Sequence, residues 1–456
     1  GPYRTGLPRN MTMADYIAVV NLAKNAGVRL QGLFILGEMD RENFLGNHPT
    51  TTHLREHYDN SDNISDLQVE MMEYVKSVSS HLEFGLHGVG HEFWPEDGKR
   101  RRAEWYNTED DHPWPEEDIR DHLDCFVRIM AQYGISKENG HSFPKSFVPC
   151  AYSYYWNPDG DYSLGKLLGQ YGVKYANTDF TQIPECNPPE GDNSAGFDHK
   201  VHVMNRYNYG NLWSAPGKLP DVSLAAQTTD FIETHWPNLI GMKEEEHSEV
   251  TSMWTEYYRK VQATPDRFCA KNTSQVHSQW LYKKHTVIEE LAEGKISIDN
   301  TNMPSEVYQG FFPSNLVLKL KLNEGEHVSR ATIDGCIIPG YLEDEGYALL
   351  YLPQLINKKY LFEYEVGNEM MENVVWHDTT SNLFDMDASV NEVRLNICAY
   401  GEQEYTFLTH NSVEAVISNN PCIEIKHWHQ TQGKLLFTAS AHDMQGEIGS
   451  IEIKFQ

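Results

Sequence analysis

The stretch TMADYIAVVNLAKNAGVRLQGLFIL, residues 12–36, joins a helix pattern to a strand pattern and decides the class of the fold. Thr12 and Asp15 have the spacing of a capping box, and Gly27 is a typical helix stop. The apolar run LQGLFIL that follows has the length and composition of a buried strand. A helix followed by a buried strand is the repeating unit of an α/β fold.

The same order recurs through the first two-thirds of the chain. Helix patterns over SDLQVEMMEYVKSV and PEEDIRDHLDCFVRIMAQYG lead to the strands LEFGLH and SFVP, and further helices are predicted up to TSQVHSQWLYKKHTVIEELAEG. Repeated units of this kind imply a parallel sheet with outer helices, and nearly all-apolar strands fit burial on both faces. We predict a barrel-like (β/α) domain over residues 1–294, with an open sheet as the alternative.

The periodicity changes near residue 295 from helical to alternating. Every second residue from Leu316 to Leu322 is leucine, and Lys319 and Lys321 lie between them. Short alternating strands separated by turn signals continue to residue 456, which is typical of β-sandwiches. We therefore predict two all-β sandwich modules, at residues 295–375 and 376–456.

Charge and cysteine usage exclude several classes of function. The formal net charge of −29 repels phosphate backbones and anionic membrane surfaces, so we expect no nucleic-acid partner. No apolar run reaches the length of a membrane span. The seven cysteines are scattered without a CxxC pair, which argues against a thiolate zinc site and a dense disulfide framework.

The segment HGVGH places His87 and His91 four residues apart, directly where the strand LEFGLH ends. In a barrel-like α/β domain the reacting groups lie at the carboxyl ends of the strands. Two imidazoles near one divalent cation form a zinc pair whose usual third ligand is a carboxylate. The HxxxH spacing also occurs in unrelated histidine pairs, so it is the position at a strand end that favours a metal site.

The order of these segments over residues 13–294 resembles the polysaccharide deacetylase family, carbohydrate esterases that remove acetyl groups from chitin-like and peptidoglycan-like sugars. The segment NLAKNAGVRLQGLFILG is similar to the helix and strand that lead into the family's site. HGVGH resembles the family's H-[S/T]-x-x-H zinc motif, with Gly88 in place of the hydroxyl residue.

Three later segments continue the resemblance. SFVPCAYSYYWNPDG is similar to the family's Arg-x-Pro-aromatic groove motif in Pro149 and Tyr152, although its arginine is absent. GVKYANTD looks like the strand after it and would place Asp179 at the rim of the site. IETHWPN resembles the family's Leu-x-His motif and supplies His235, with Trp236 beside it.

The resemblance implies a metal-dependent hydrolase that removes acetyl groups from a carbohydrate. His87 and His91 would hold the divalent metal, expected to be zinc, and His235 would be the general acid. The family's Asp-Asp motif, which supplies the catalytic base and the third ligand, either precedes Gly1 or is absent. In the second case Glu38 and Asp40 are the nearest substitutes, although both also read as loop acids.

Two alternative functions remain open at this stage. A catalytically degenerate relative would bind glycan without turnover, and a different metal-dependent amidase could use the same barrel. The expected partner is an acetylated carbohydrate, and the expected location is secreted, periplasmic or at the cell surface.

Overall fold

The computed structural model describes residues 7–208, 232–265, 267–308, 314–338, 340–344, 346–371, 375–377 and 379–456. By its internal contacts the chain divides into two compact units. The first unit comprises residues 1–26 and 30–257, and the second comprises residues 27–29 and 258–456.

The helices and strands below are those of the described residues. The α-helices are α1 (Met13–Ala26), α2 (Asp66–Ser77), α3 (Glu116–Ala131), α4 (Leu164–Tyr171), α5 (Trp236–Ile240), α6 (His247–Ala263), α7 (Thr273–His285) and α8 (Ser305–Tyr308). The strands of the first unit are β1 (Leu30–Ile35), β2 (Leu82–Gly88), β3 (Ser146–Phe147), β4 (Tyr175–Thr178), β5 (Ser194–Asp198), β6 (Val201–Asn205), β7 (Tyr207–Asn208) and β8 (Ile232–Glu233).

The second unit holds the remaining strands. They are β9 (Val287–Ala292), β10 (Lys295–Asp299), β11 (Val317–Lys321), β12 (His327–Ile333), β13 (Cys336–Ile337), β14 (Leu342–Asp344), β15 (Tyr347–Tyr351), β16 (Lys359–Gly367), β17 (Val375–His377), β18 (Asn382–Ser389), β19 (Glu392–Ala399), β20 (Glu402–Leu408), β21 (Val413–Ser418), β22 (Ile423–Thr431), β23 (Lys434–Ala441) and β24 (Glu447–Phe455).

The first unit is built on a six-stranded sheet in the order β1-β2-β3-β4-β6-β5. Neighbours from β1 to β6 run parallel, and β5 pairs antiparallel with β6 at one edge. The predicted α/β class is confirmed by this parallel sheet and its intervening helices. Among the described strands the sheet has two free edges, β1 and β5, and closure into a barrel stays a prediction.

Burial explains why these segments form this sheet. All residues of β2 except His87 are buried, as a strand covered on both faces requires. Helix α3 covers the sheet with a stripe at helical spacing that includes Ile119, Leu123, Phe126 and Met130, all buried. Because the strands are parallel, their carboxyl ends lie along one edge, and the residues after β2, β3, β4 and β6 are brought together there.

The described residues of the second unit form three sheets. Their orders are β13-β12-β16-β10-β9, β11-β15-β14-β17-β20-β23-β22 and β18-β19-β24-β21. One buried apolar cluster takes side chains from both the seven-stranded and the four-stranded sheet, among them Phe407, Phe437, Leu395 and Ile453. These two sheets therefore form a sandwich, and the all-β prediction for this part of the chain is confirmed in its class.

Sheet pairing crosses both of the predicted domain boundaries. Strand β9 forms an antiparallel hairpin with β10, across the predicted boundary at 294/295. Strand β14 pairs with β17, so the seven-stranded sheet takes strands from both sides of residue 375. The three-domain division stays a prediction, and by internal contacts the chain divides into two units at 257/258.

One predicted helix is wrong in its second half. The pattern over 273–294 predicts a single helix, whereas α7 ends at His285 and residues 287–292 form β9. Every residue of β9 is exposed, so no buried stripe distinguishes helix from strand there. Hydrogen bonding to β10, a contact made after a turn, decides the outcome.

Across the described residues, the helices are too short or too polar to cross a membrane.

Candidate functional site

His87 and His91 lie at the carboxyl end of β2, with their ring centroids 5.4 Å apart and their planes inclined at 68°. The segment between them is a bend. A helical turn at this place would have put His91 on the same helix face as His87. His91 instead adopts a left-handed backbone conformation with φ of 68°, which turns the chain back toward the strand end. The two imidazoles are adjacent for this reason.

Glu104 holds this bend from inside. Its buried carboxylate accepts hydrogen bonds from the backbone N–H of Val89 at 2.8 Å and of His91 at 3.0 Å. The ring Nδ1 of the buried His122 lies 2.9 Å from the same carboxylate. Successive backbone N–H groups around an anion form a nest, which here is occupied by a side chain of the protein itself.

The carboxylate also explains why a glycine occupies position 88. A Cβ atom built on Gly88 would lie 2.0 Å from Oε2 of Glu104, far inside van der Waals contact. The hydroxyl residue of the motif that HGVGH resembles would fit here only if Glu104 moved away from the backbone N–H groups that donate hydrogen bonds to it.

Hydrogen bonding orients the His87 ring. Its Nδ1 lies 2.7 Å from the carbonyl oxygen of Val148, which follows β3, so Nδ1 carries the proton and Nε2 keeps its lone pair. Burial, and after it the charge of the neighbouring His91, lower the pKa of His87 to about 3. A neutral imidazole with a fixed tautomer is the form in which histidine binds metals.

A cavity of about 880 Å³ opens in front of these rings. His87 and His91 share its wall with four other predicted residues, namely Glu38, Tyr152, His235 and Trp236. His235 is the N-cap residue of α5. Because its ring can carry a positive charge and lies near His87, it also contributes to lowering the pKa of His87. Four of the five sequence segments that the resemblance singled out thus contribute residues to one cavity, and GVKYANTD does not.

Arg206 is a cavity residue that the sequence patterns did not indicate. It is buried directly after β6, and its guanidinium lies 4.9 Å from the centre of the Tyr152 ring. Its backbone N–H bonds the carbonyl of Thr178 at the end of β4. The only signal in the sequence is an arginine immediately after the buried strand VHVMN. Arg206 thus brings a guanidinium to the cavity wall from the end of β6, and not from the segment around Pro149.

Other predicted residues lie elsewhere. Asp40 is buried, and its carboxylate accepts hydrogen bonds from the Leu45 backbone and the Gln132 amide, so it braces a loop and is not among the cavity residues. Asp179 is likewise outside the cavity wall and caps its own turn through Thr181.

The remaining two candidates differ from each other. Pro149 only precedes the short turn Cys150–Tyr152 and is not among the cavity residues. Glu38 is exposed and lines the cavity. Glu92, which the sequence patterns did not indicate, lines the same cavity next to His91.

Comparison with known proteins yields little. No protein-family model matches the chain, and no curated protein matches it either. Among solved structures, the crystal structure of the GH57-type branching enzyme from the hyperthermophilic archaeon Pyrococcus horikoshii is similar at 11% identity and a TM-score of 0.26. The match covers 54% of this chain and 53% of that one, so the chain spans about half the length of that structure.

Proposed function

We propose that this protein is a metal-dependent hydrolase that removes acetyl groups from a carbohydrate. The observation that carries the proposal is the adjacency of His87 and His91 at the carboxyl end of β2, in the wall of a cavity that also holds His235. The secreted, periplasmic or cell-surface location expected from the resemblance stays a prediction.

The donor set fits a divalent metal such as zinc. His87 is neutral, and its Nδ1–H is bound to a carbonyl, an arrangement found in metal-ligating histidines. His91 and a carboxylate that lines the cavity would be the other two of three protein ligands. Glu38, which the sequence analysis names as a possible third ligand, is one such carboxylate. A metal bound there would supply Lewis-acid polarisation of a substrate carbonyl.

The cavity residues have separate parts in this reaction. His235 would donate a proton to the nitrogen or oxygen of the leaving group. Trp236 and Tyr152 offer aromatic surface to a sugar ring, and Arg206, held against Tyr152, offers hydrogen-bond donors to its hydroxyl groups.

The test is acetate release from a panel of acetylated oligosaccharides, together with metal analysis of each variant. His235→Ala should lower turnover by about 10²–10⁴-fold and leave metal content unchanged, as expected for a positioned acid. His87→Ala should lose activity together with the metal bound at the His87–His91 pair. His57→Ala is the matched control, because that side chain is 84% exposed.

Two results would contradict the proposal. The first is a His235→Ala variant that stays fully active or that loses the metal, since either result would show that His235 is not the general acid. The other is absence of acetate release by the unaltered protein loaded with zinc.

A second candidate function is glycan binding without turnover. The cavity wall includes the rings of Tyr16, Phe34, Tyr152 and Trp236, and aromatic walls with a few polar groups are typical of ligand-binding sites. Calorimetry with the same oligosaccharides separates the two functions. Binding without acetate release would favour this candidate, and its weakening in Trp236→Ala would locate the ligand.

A further inference from the structure

A second cluster of potential metal ligands lies away from the cavity, between α3 and the loop that joins β1 to α2. His48, Asp121 and Cys125 each offer one ligand atom, and all three atoms lie within 4.8 Å of one another. His48 Nδ1 is 2.7 Å from Asp121 Oδ1. None of the three is among the residues that line the cavity.

Local structure brings these side chains together. Asp121 and Cys125 are four residues apart on α3 and therefore lie on one face of the helix. His48 follows the short turn Phe44–Asn47, and its carbonyl accepts a hydrogen bond from the Thr51 hydroxyl at 2.7 Å, which fixes its backbone. The His48 ring also contacts Phe44, with centroids 4.4 Å apart.

We propose that His48, Asp121 and Cys125 form a binding site for a divalent transition metal of the zinc type, separate from the His87–His91 pair. One imidazole, one carboxylate and one thiolate are a ligand set that such ions accept and that Mg²⁺ and Ca²⁺ disfavour. Cys125 is fully buried, whereas the side chains of His48 and Asp121 are 19% and 34% exposed. The cluster is thus open to solvent on one side, and water would take the fourth position of a tetrahedral site.

The electrostatic surroundings favour a cation. The carboxylates of Asp121, Asp124 and Asp40 lie close enough to the Cys125 sulfur to act on it electrostatically. On binding, the Cys125 S–H bond breaks and its proton goes to solvent. The metal would replace the hydrogen bond between His48 Nδ1–H and Asp121, with the ring proton then on Nε2 and Nδ1 as the ligand atom.

Cobalt(II) titration of the full-length protein tests the site, because thiolate ligation gives a ligand-to-metal absorption band that histidine and carboxylate ligands do not. We expect the band in the unaltered protein, its loss in Cys125→Ser, and its persistence in His87→Ala. Cys422→Ser, which alters an exposed cysteine of the second unit, is the control and should keep the band.

Replacing the buried Cys125 can impair folding, so a second variant alters Asp121, a ligand that is partly exposed. Asp121→Asn should weaken cobalt binding measured at the thiolate band by at least about tenfold, since even the groups that support metal ligands contribute 10- to 100-fold. Absence of the band in the unaltered protein, or a band unchanged in both variants, would overturn the proposal. This outcome is independent of acetate release, so the two proposals fail separately.

Discussion

The carboxylate of Glu104 lies inside the bend that joins His87 to His91. It is surrounded by donors, since backbone N–H groups of residues 89 to 91 and the ring of His122 all point at it. Removing one partner from a buried, charge-assisted network leaves the others unsatisfied, which costs more than the lost bond itself. Glu104 is therefore a positioning residue for the histidine pair.

Glu104→Gln should loosen this bend while conserving side-chain size. The amide N–H₂ would face backbone donors, so we expect zinc affinity at the His87–His91 pair to fall by about 10–100-fold, as for other groups that orient metal ligands. Affinity is measured by competition with a chelator in a Cys125→Ser background, so that the second cluster does not contribute. Glu117→Gln, at an exposed position on α3, is the control. Unchanged zinc affinity in Glu104→Gln would contradict the positioning role.

At the scale of elements, the start of α1 shows how a local capping signal acquires long-range partners. The Asp15 carboxylate accepts the Thr12 backbone N–H at 2.8 Å, as the capping-box spacing predicts. It also pairs with Arg9 at 2.7 Å and lies 2.9 Å from the His247 ring. Burial alone would raise the pKa of Asp15, but these partners outweigh it and hold the pKa below its usual value.

Asp15→Asn should therefore destabilise the protein in a pH-dependent way. An acid whose pKa is lowered by folding contributes stability above the pKa of the unfolded chain, and this contribution is lost as pH falls through the folded pKa. We expect a loss of about 1–3 kcal/mol in the free energy of unfolding at pH 7. The difference from the unaltered protein should shrink below about pH 4.

Urea unfolding at several pH values measures this difference. Asp66→Asn is the control, because Asp66 occupies the first turn of α2 but is exposed. A loss that is the same at pH 7 and at acid pH would show that the charge of Asp15 is not its source.

At the scale of the whole molecule, two differently built units share one chain. The second unit depends on the apolar layer between its seven-stranded and four-stranded sheets. Phe437 is at the centre of that layer, 1% exposed and stacked on Tyr405 and Phe407 with centroids 5.0 and 5.5 Å away.

Phe437→Ala should lower the free energy of unfolding of the second unit by about 3–5 kcal/mol, because a buried aromatic side chain leaves a cavity when truncated. Thermal or urea unfolding followed by circular dichroism measures it. Val390→Ala, at a side chain 93% exposed, should change stability by less than about 0.5 kcal/mol. Equal small effects for both variants would show that the two sheets do not share a tightly packed core.

Much of the architecture could be predicted from local patterns. The alternation at 316–322 predicts β11, and the stripe and glycine stop over 12–27 predict α1, because the spacing of apolar residues follows the period of each element. The strand β9 could not be predicted in this way, since all of its residues are exposed and its hydrogen-bond partner alone determines it. Nor do the predicted boundaries match the sheets, because strand pairing is non-local.

The sequence by itself determined the α/β and all-β division, and it indicated His87, His91, His235 and Trp236 as neighbours of one site. These residues follow strands or begin helices, and parallel strands deliver their carboxyl ends to a common edge. Only the tertiary structure brought Glu104 under the bend, and Arg206 onto Tyr152. Only the tertiary structure, likewise, placed His48 beside Asp121 of α3. Such contacts join residues with no periodic relation along the chain, so they exist only after the sheet and its loops have packed.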